Sequence, residues 1–232
     1  MKKFIKSGYI NNVIITIICN YLNNISLGEI DFLIFLYIKI FKCKSSTINF
    51  KKYKFCSCIS INSVICHGIP IFYFKKYNYI KIDICIKYIF YSDCCYISKN
   101  FFNVFFKFFL FYLIINLKNN KLYSYISLLL NKNKFNKLNI IKNYCSHGIF
   151  KKMHTNLIIK HNKNYYKKKI KNFDTFTLEP MFCYGINKNF HYKKIFFSKK
   201  NFFSFQWEHT LFNFNNKFII TTLRKNELCI FQ

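Results

Sequence analysis

The sequence predicts an α+β fold, and three observations carry this. Segments with helical apolar spacing come in two groups, each followed by β-type runs. The order therefore reads helices, hairpin, helices, hairpins rather than an alternating strand–helix pattern. The chain has 232 residues with 52% hydrophobic content, enough for one substantial core, and one domain is the default. No period repeats at the sequence level.

The elements follow in order. Over 4–22 the apolar residues Ile5, Tyr9, Val13, Ile17 and Tyr21 fall at helical spacing. A second helix begins at Ser26, whose hydroxyl suits an N-cap, with Glu29 three residues on as its capping-box partner; it runs to about residue 42. Short β-type runs come next, at 55–61, 79–87 and 90–96, and the last two read as a hairpin. Segment 101–117 is almost wholly aromatic or aliphatic, broken by Asn103 and Lys107. At about 17 residues it sits at the bottom of the membrane-spanning range and is read as a buried amphipathic helix. After Lys118-Asn119-Asn120, 121–131 is a further helix. From Asn139 onward the chain is strand-like, with Lys- and Asn-rich loops at 162–172 and 187–200 and last strands at 205–213 and 217–223.

Lys and Arg number 37 against 8 acidic residues, a net charge of +29. Such a balance ordinarily points to nucleic acid or an anionic membrane. Here it is discounted. Lys, Asn, Ile, Phe and Tyr dominate, all encodable by codons built only from A and T; Ala is absent, and Arg occurs once, at Arg224. That is the imprint of an AT-rich genome, so the lysines largely reflect mutational drift. No RNA-binding motif is recognisable. The 11 cysteines are odd in number, show no C-x₂-C spacing and follow no apolar signal segment, so they read as reduced thiols in a cytoplasm. Drift also gives rare residue types extra weight: Gly68, Gly148, Pro70 and Pro180 each lie within three residues of a candidate site residue.

In a chain this poor in acid, the carboxylates carry information. If the hairpin turn centres near Tyr88, Asp83 and Asp93 become cross-strand neighbours on one face, an arrangement that is destabilising without a cation between them. Downstream stand His147, Glu179 and Glu208. Imidazole with carboxylates suits Mn, Fe, Co or Zn, and four carboxylates balance two divalent ions, which matters because unpaired buried charge is costly. A metal-dependent hydrolase is the leading reading. His67, His147 and His154 lie in, or seven residues after, His-Gly pairs and are read as functional; His161, His191 and His209 are read as structural.

These segments resemble the type I methionine aminopeptidases of bacteria. The resemblance runs from about Lys3 to Glu227. Its most specific parts are Ser60-Ile61-Asn62 leading to Val64-Ile65-Cys66-His67-Gly68-Ile69-Pro70, Asp83, Asp93, His147-Gly148-Ile149, Phe176-Thr177-Leu178-Glu179-Pro180-Met181, Glu208-His209-Thr210 and Leu223-Arg224-Lys225. The resemblance implies a pita-bread (creatinase/aminopeptidase-like) fold: a curved antiparallel sheet with outer helices and pseudo-twofold halves, in one catalytic aminopeptidase domain over 1–232. It implies that Asp83, Asp93, His147, Glu179 and Glu208 hold two divalent metal ions (Co, Mn, Fe or Zn), with Asp93 and Glu208 bridging. It implies substrate contacts from His154 at the scissile carbonyl and His67 near the amide nitrogen, a proton shuttle at Glu179, and a methionine pocket of Phe50, Tyr53, Cys58 and Met153. The implied substrate is the N-terminal methionine of nascent polypeptides. The implied setting is a cytoplasmic monomer with transient ribosome contact and no specific nucleic acid or membrane.

Some positions depart from that pattern. Tyr91-Ser92-Asp93 stands where His-Gly-Asp is expected, Phe150 where a glycine is, Met153 where an aromatic is, and Lys151 where an arginine is. The Phe150 ring is expected to narrow the site and lower activity, unless it turns into the core. Two alternatives share the five ligands or their fold. One is a prolidase or aminopeptidase P, which places its histidines differently from Cys66-His67-Gly68-Ile69-Pro70. The other is a non-catalytic binding relative, which the complete ligand set argues against.

Overall fold

The computed structural model describes residues 1–22, 25–71, 79–98, 101–132, 138–184, 189–192, 195–198, 203–225 and 227. Two helices, α1 (Lys2–Cys19) and α2 (Leu27–Ile40), open the chain, and five strands follow: β1 (Lys44–Ser45), β2 (Cys58–Ile61), β3 (Val64–Cys66), β4 (Ile80–Lys87) and β5 (Tyr91–Ile97). The second half repeats this order with α3 (Phe101–Ile115) and α4 (Ser124–Lys132), then β6 (Leu138–Ile140), β7 (Cys145–His147), β8 (Ile158–Lys160), β9 (Thr175–Leu178) and β10 (Met181–Tyr184). The last strands are β11 (Asn189–Tyr192), β12 (Ile195–Ser198), β13 (Ser204–Gln206), β14 (His209–Phe214) and β15 (Lys217–Ile220). The strand pairings are antiparallel, as the α+β order requires.

Local sequence explains the helices. The Ser26 hydroxyl accepts from the Glu29 N–H at 3.2 Å, and the Glu29 carboxylate accepts from the Ser26 N–H at 2.6 Å, the expected capping box. Leu27, Ile30, Ile34 and Ile38 then recur on one face and are fully buried. Each is worth roughly 1.5–3 kcal/mol by area removed from water. Asn11 of α1 donates to the carbonyls of Ile84 (2.9 Å) and Ser92 (3.0 Å), pinning the helix across β4 and β5. In α3, Phe106 stacks on Phe205 at 4.7 Å and Leu110 and Leu113 are buried, the amphipathic packing expected of 101–117. Among the described residues no helix is long and apolar enough to cross a membrane.

Two expectations change. The run 55–61 becomes a strand only from Cys58, because Asp31 holds the residues before it in a turn: its carboxylate accepts from the backbone N–H of Cys56 (3.1 Å) and Ser57 (2.8 Å) and from the Ser57 hydroxyl (2.6 Å). Segment 187–200, expected as a loop, carries β11 and β12, and β12 pairs with β3 at Phe196↔Cys66. Its Lys and Asn residues disguise a strand by propensity, whereas pairing decides it. Residues 187–188, 193–194 and 199–200 of that segment, and Gly185, lie outside the described residues.

The halves meet along β5 and β14. Thr210 accepts from the Asp93 N–H at 3.0 Å and donates to the Asp93 carbonyl at 2.7 Å, while Cys95 and Glu208 form a backbone bridge.

Candidate active site

The hairpin supplies two carboxylates. Its turn is Tyr88–Phe90, centred on Ile89 rather than Tyr88, so Asp83 pairs with Cys95 and Asp93 with Cys85. The aspartates are thus diagonal rather than directly opposite. A shift of one residue in the turn centre displaces the partner by two positions, which preserves the face, so both side chains still point the same way.

The second half supplies three more groups, each at a strand end. His147 ends β7, Glu179 follows β9, and Glu208 precedes β14. Asp93, His147 and Glu208 each offer a donor atom, all within 4.8 Å of one another. His147 Nε2 lies 3.4 Å from Glu179 Oε1 and 4.0 Å from Asp93 Oδ2. Its Nδ1 faces the Gly148 carbonyl at 3.2 Å, which assigns the proton to Nδ1 and leaves the Nε2 lone pair toward the acids. Gly148 allows this because the chain folds tightly behind it; a Cβ there would lie 2.2 Å from Thr155 Oγ1.

A further layer aims these groups. Thr177 Oγ1 donates to Glu179 Oε1 at 2.9 Å and accepts from the His147 N–H at 3.1 Å. The Ser146 hydroxyl accepts from the Glu179 N–H at 3.0 Å and meets His161 Nε2 at 2.8 Å, and the Ser146 N–H donates to the same nitrogen at 3.1 Å. Gln206 Nε2 approaches Glu179 Oε2 at 3.5 Å.

Four carboxylates in one buried cluster repel. Burial pushes the carboxyls of Asp83, Glu179 and Glu208 well above their usual range, and the neighbouring Asp93 charge pushes each further. Burial also raises Asp93 to about 6, while burial and the nearby His154 lower His147 to about 4. Asp93 Oδ1 and Glu208 Oε1 are buried with no hydrogen-bond partner among the described residues. Orphaned carboxylate oxygens facing a neutral imidazole are the donor set that a divalent cation satisfies. The residues fit a metal centre.

Around the cluster lie the other predicted residues. The His154 ring is 4.3 Å from that of His147 and 5.6 Å from that of Phe50, on the exposed side. Cys58 sits directly opposite Asp83 across β2 and β4, and Tyr53, whose hydroxyl donates to the Gly68 and Ser57 carbonyls, reaches the Cys58 thiol. Met153 is half-buried, next in sequence to His154. His67 follows β3 and is exposed, its ring 5.6 Å from that of Tyr144. Of the two alternatives for Phe150, the ring turns into the core: it stacks on Phe90 at 4.3 Å and packs on Phe4 at 5.6 Å, so it does not crowd the acids.

Sequence reasoning overlooked Lys81, Ser146, Thr177 and Gln206. Thr177 and Ser146 lie two residues from Glu179 and one residue from His147, a signal that was available; Lys81 was lost among the chain's many lysines. His161 and His209, read as structural, are buried in hydrogen-bond networks, His209 with Thr222 (2.9 Å) and Glu227 (3.5 Å). The side chain of His191 lies outside the described residues.

No protein-family model matches the chain. It is 28% identical to the methionine aminopeptidase of Buchnera aphidicola subsp. Schizaphis graminum over 98% of this chain and 93% of that one. It is 32% identical to the methionine aminopeptidase of Buchnera aphidicola subsp. Baizongia pistaciae over 73% of this chain and 70% of that one. Among solved structures, a methionine aminopeptidase from Thermotoga maritima superposes with a TM-score of 0.85 at 18% identity, covering 94% of both chains. A prolidase from Pyrococcus horikoshii OT3 superposes with a TM-score of 0.70 at 12% identity, over 95% of this chain and 61% of that one. The fold is the pita-bread fold these structures share. Bacterial relatives matched over most of their length, on a scaffold that gathers acids and a histidine from both halves, leave one assignment: the chain belongs to the methionine aminopeptidase family.

Proposed function

We propose that this protein removes the N-terminal methionine from newly made polypeptides by hydrolysis at two divalent metal ions. Asp83, Asp93, His147, Glu179 and Glu208 would hold the ions. The observation that carries this reading is the convergence of four carboxylates and one neutral imidazole from separate strands, with Asp93 Oδ1 and Glu208 Oε1 left unpaired. Divalent ions bound there supply a water acidified toward neutral pH and polarise the scissile carbonyl.

The chain's own groups do the rest. Glu179, held at Oε1 by Thr177, relays a proton between the attacking water and the leaving amine. His154 donates to the carbonyl oxygen, where negative charge grows in the transition state, so its bond strengthens as the reaction proceeds. His67 hydrogen-bonds near the scissile amide nitrogen. Phe50, Tyr53, Cys58 and Met153 form a pocket of aromatic rings and polarisable sulfur that suits a thioether side chain. A prolidase-type activity has less support, since the prolidase is matched over only 61% of its length.

The protein acts as a cytoplasmic monomer. Its basic composition suits transient contact with the ribosome, without sequence-specific nucleic-acid recognition. The deciding experiment is metal analysis after reconstitution, together with hydrolysis of Met-Gly- and Met-Ala-leading peptides. Two equivalents of metal and release of free methionine are expected; Asp93→Asn, which removes a charge from the centre of the cluster, should lose both. Retention of neither metal nor peptidase activity by the parent protein would rule the reading out.

A further inference from the structure

Lys81 is the least expected side chain near the site. It is 2% exposed, and no carboxylate pairs with it among the described residues. Its Nζ instead donates to the carbonyls of Val64 (2.6 Å) and Ile65 (2.8 Å) and to the hydroxyl of Ser204. Three acceptors use all three protons of an ammonium. The Ser204 hydroxyl itself donates a hydrogen bond to the Val64 carbonyl at 2.9 Å, and its N–H donates to the Asn62 carbonyl. One ammonium thus ties three segments together: β4, which carries Asp83 two residues on and on the same face; β3, which leads into His67; and β13, which leads toward Glu208.

The segment leading into His67 is the one that needs holding. His67 has φ 56°, a left-handed backbone that a side chain with a Cβ adopts only where its surroundings impose it. On its C-terminal side the imposition is plain. The Gly68 carbonyl accepts from Ile59 N–H at 3.0 Å and from the Tyr53 hydroxyl at 2.8 Å, and the Gly68 N–H donates to the Ser60 hydroxyl at 3.1 Å. A Cβ on Gly68 would lie 2.1 Å from the Ile59 carbonyl oxygen, so the chain is pressed against β2 there. On its N-terminal side β3 is a short strand of three residues, and the Lys81 ammonium holds two of its three carbonyls.

We propose that Lys81 is a positioning residue that keeps His67 in its left-handed conformation at the rim of the acidic cluster. Without the ammonium, β3 keeps its pairing with β12 but loses the tie that fixes its carbonyls against β4, and His67 relaxes toward an ordinary backbone, carrying its ring away from the substrate amide. The five carboxylate and imidazole donors are held by other strands and keep their places. This rests on the role of His67 given above.

The test is a double-mutant cycle in the metal-reconstituted full chain: Lys81→Met alone, in a His67→Ala background and in a His154→Ala background. Metal stoichiometry and thermal midpoint are followed alongside. Lys81→Met should lower kcat/KM on the order of 10–100-fold, as for a displaced reacting group, with metal content unchanged. In the His67→Ala background it should cost less than about 3-fold, and in the His154→Ala background its full effect should remain. Equal losses in both backgrounds would overturn the proposal, since that is how general destabilisation behaves. If His67→Ala alone is as active as the parent, the role of His67 itself is wrong. Should Lys81→Met not fold, Lys81→Gln, which keeps two amide donors, takes its place in the same cycle with the same criteria.

Discussion

His154 is the most informative single residue to change. It lies beside His147 but on the exposed side, over Phe50 rather than among the acids. Replacing it should therefore spare metal binding and strike turnover. His154→Ala is expected to lose about 10²–10³ in kcat, as for removal of one oxyanion donor, with metal content unchanged; steady-state kinetics with metal analysis decide it, and parental kcat would dismiss the role. His161 makes a different prediction. It is fully buried, and burial lowers it to about 4 from an ordinary 6.5. Between those values the unfolded chain binds a proton that the folded chain does not. The stability it contributes is therefore whole above about pH 6.5 and drains as pH falls toward 4. At about 1.4 kcal/mol per pKa unit the loss is on the order of 3 kcal/mol. Urea unfolding across that window should show a shallower pH slope for His161→Asn than for the parent; equal slopes would mean that other groups carry the acid sensitivity.

At the scale of elements, the β4–β5 turn and the segment after His147 meet through aromatic rings. Phe150 stacks on Phe90 in the turn, both contact Phe4 of α1, and the Tyr91 N–H donates to the Phe150 carbonyl at 2.9 Å. That contact joins the hairpin bearing Asp83 and Asp93 to the segment bearing His147. Phe150→Gly should lower stability by roughly 2–4 kcal/mol, below the range of about 3–5 for a fully buried ring because Phe150 is half-buried, and should not raise kcat/KM. A thermal melt and peptide kinetics check it; a faster enzyme with an unchanged melting point would show the ring to be an obstruction after all. This pair also marks where the sequence was legible. Helix starts and the acids and histidine that gather in the cluster could be picked out because they rest on local chemistry, such as the Ser26–Glu29 box and the rare acids and glycines. The stacking of Phe150 could not, because in a chain with 31 phenylalanines one ring's partner depends on tertiary packing. The same reason hid β11 and β12 among Lys and Asn, and hid Lys81 among 37 basic residues. The hairpin face was read correctly and its turn centre was one residue off, since side-chain alternation is a stronger signal than turn position.

For the whole molecule, the acidic cluster is a liability until it is neutralised. Divalent ions that bind the folded chain at 100-fold over their dissociation constant should stabilise it by about 2.7 kcal/mol for each site. A chelator should lower the thermal midpoint accordingly, and Asp93→Asn should abolish the shift; a midpoint indifferent to chelation would argue that no ion is held.

The seam between β5 and β14 carries a consequence in time. Asp83 and Asp93 are made early, whereas Glu208 takes its place only after β14 has docked on β5 through Thr210 and the Cys95–Glu208 bridge. A growing chain therefore carries the two hairpin aspartates well before Glu208, and the acidic cluster is complete only once the closing strands have emerged. The cluster is completed in one late step, when the closing strands emerge and knit the halves together, so an ion that needs the full cluster would be captured only after that step.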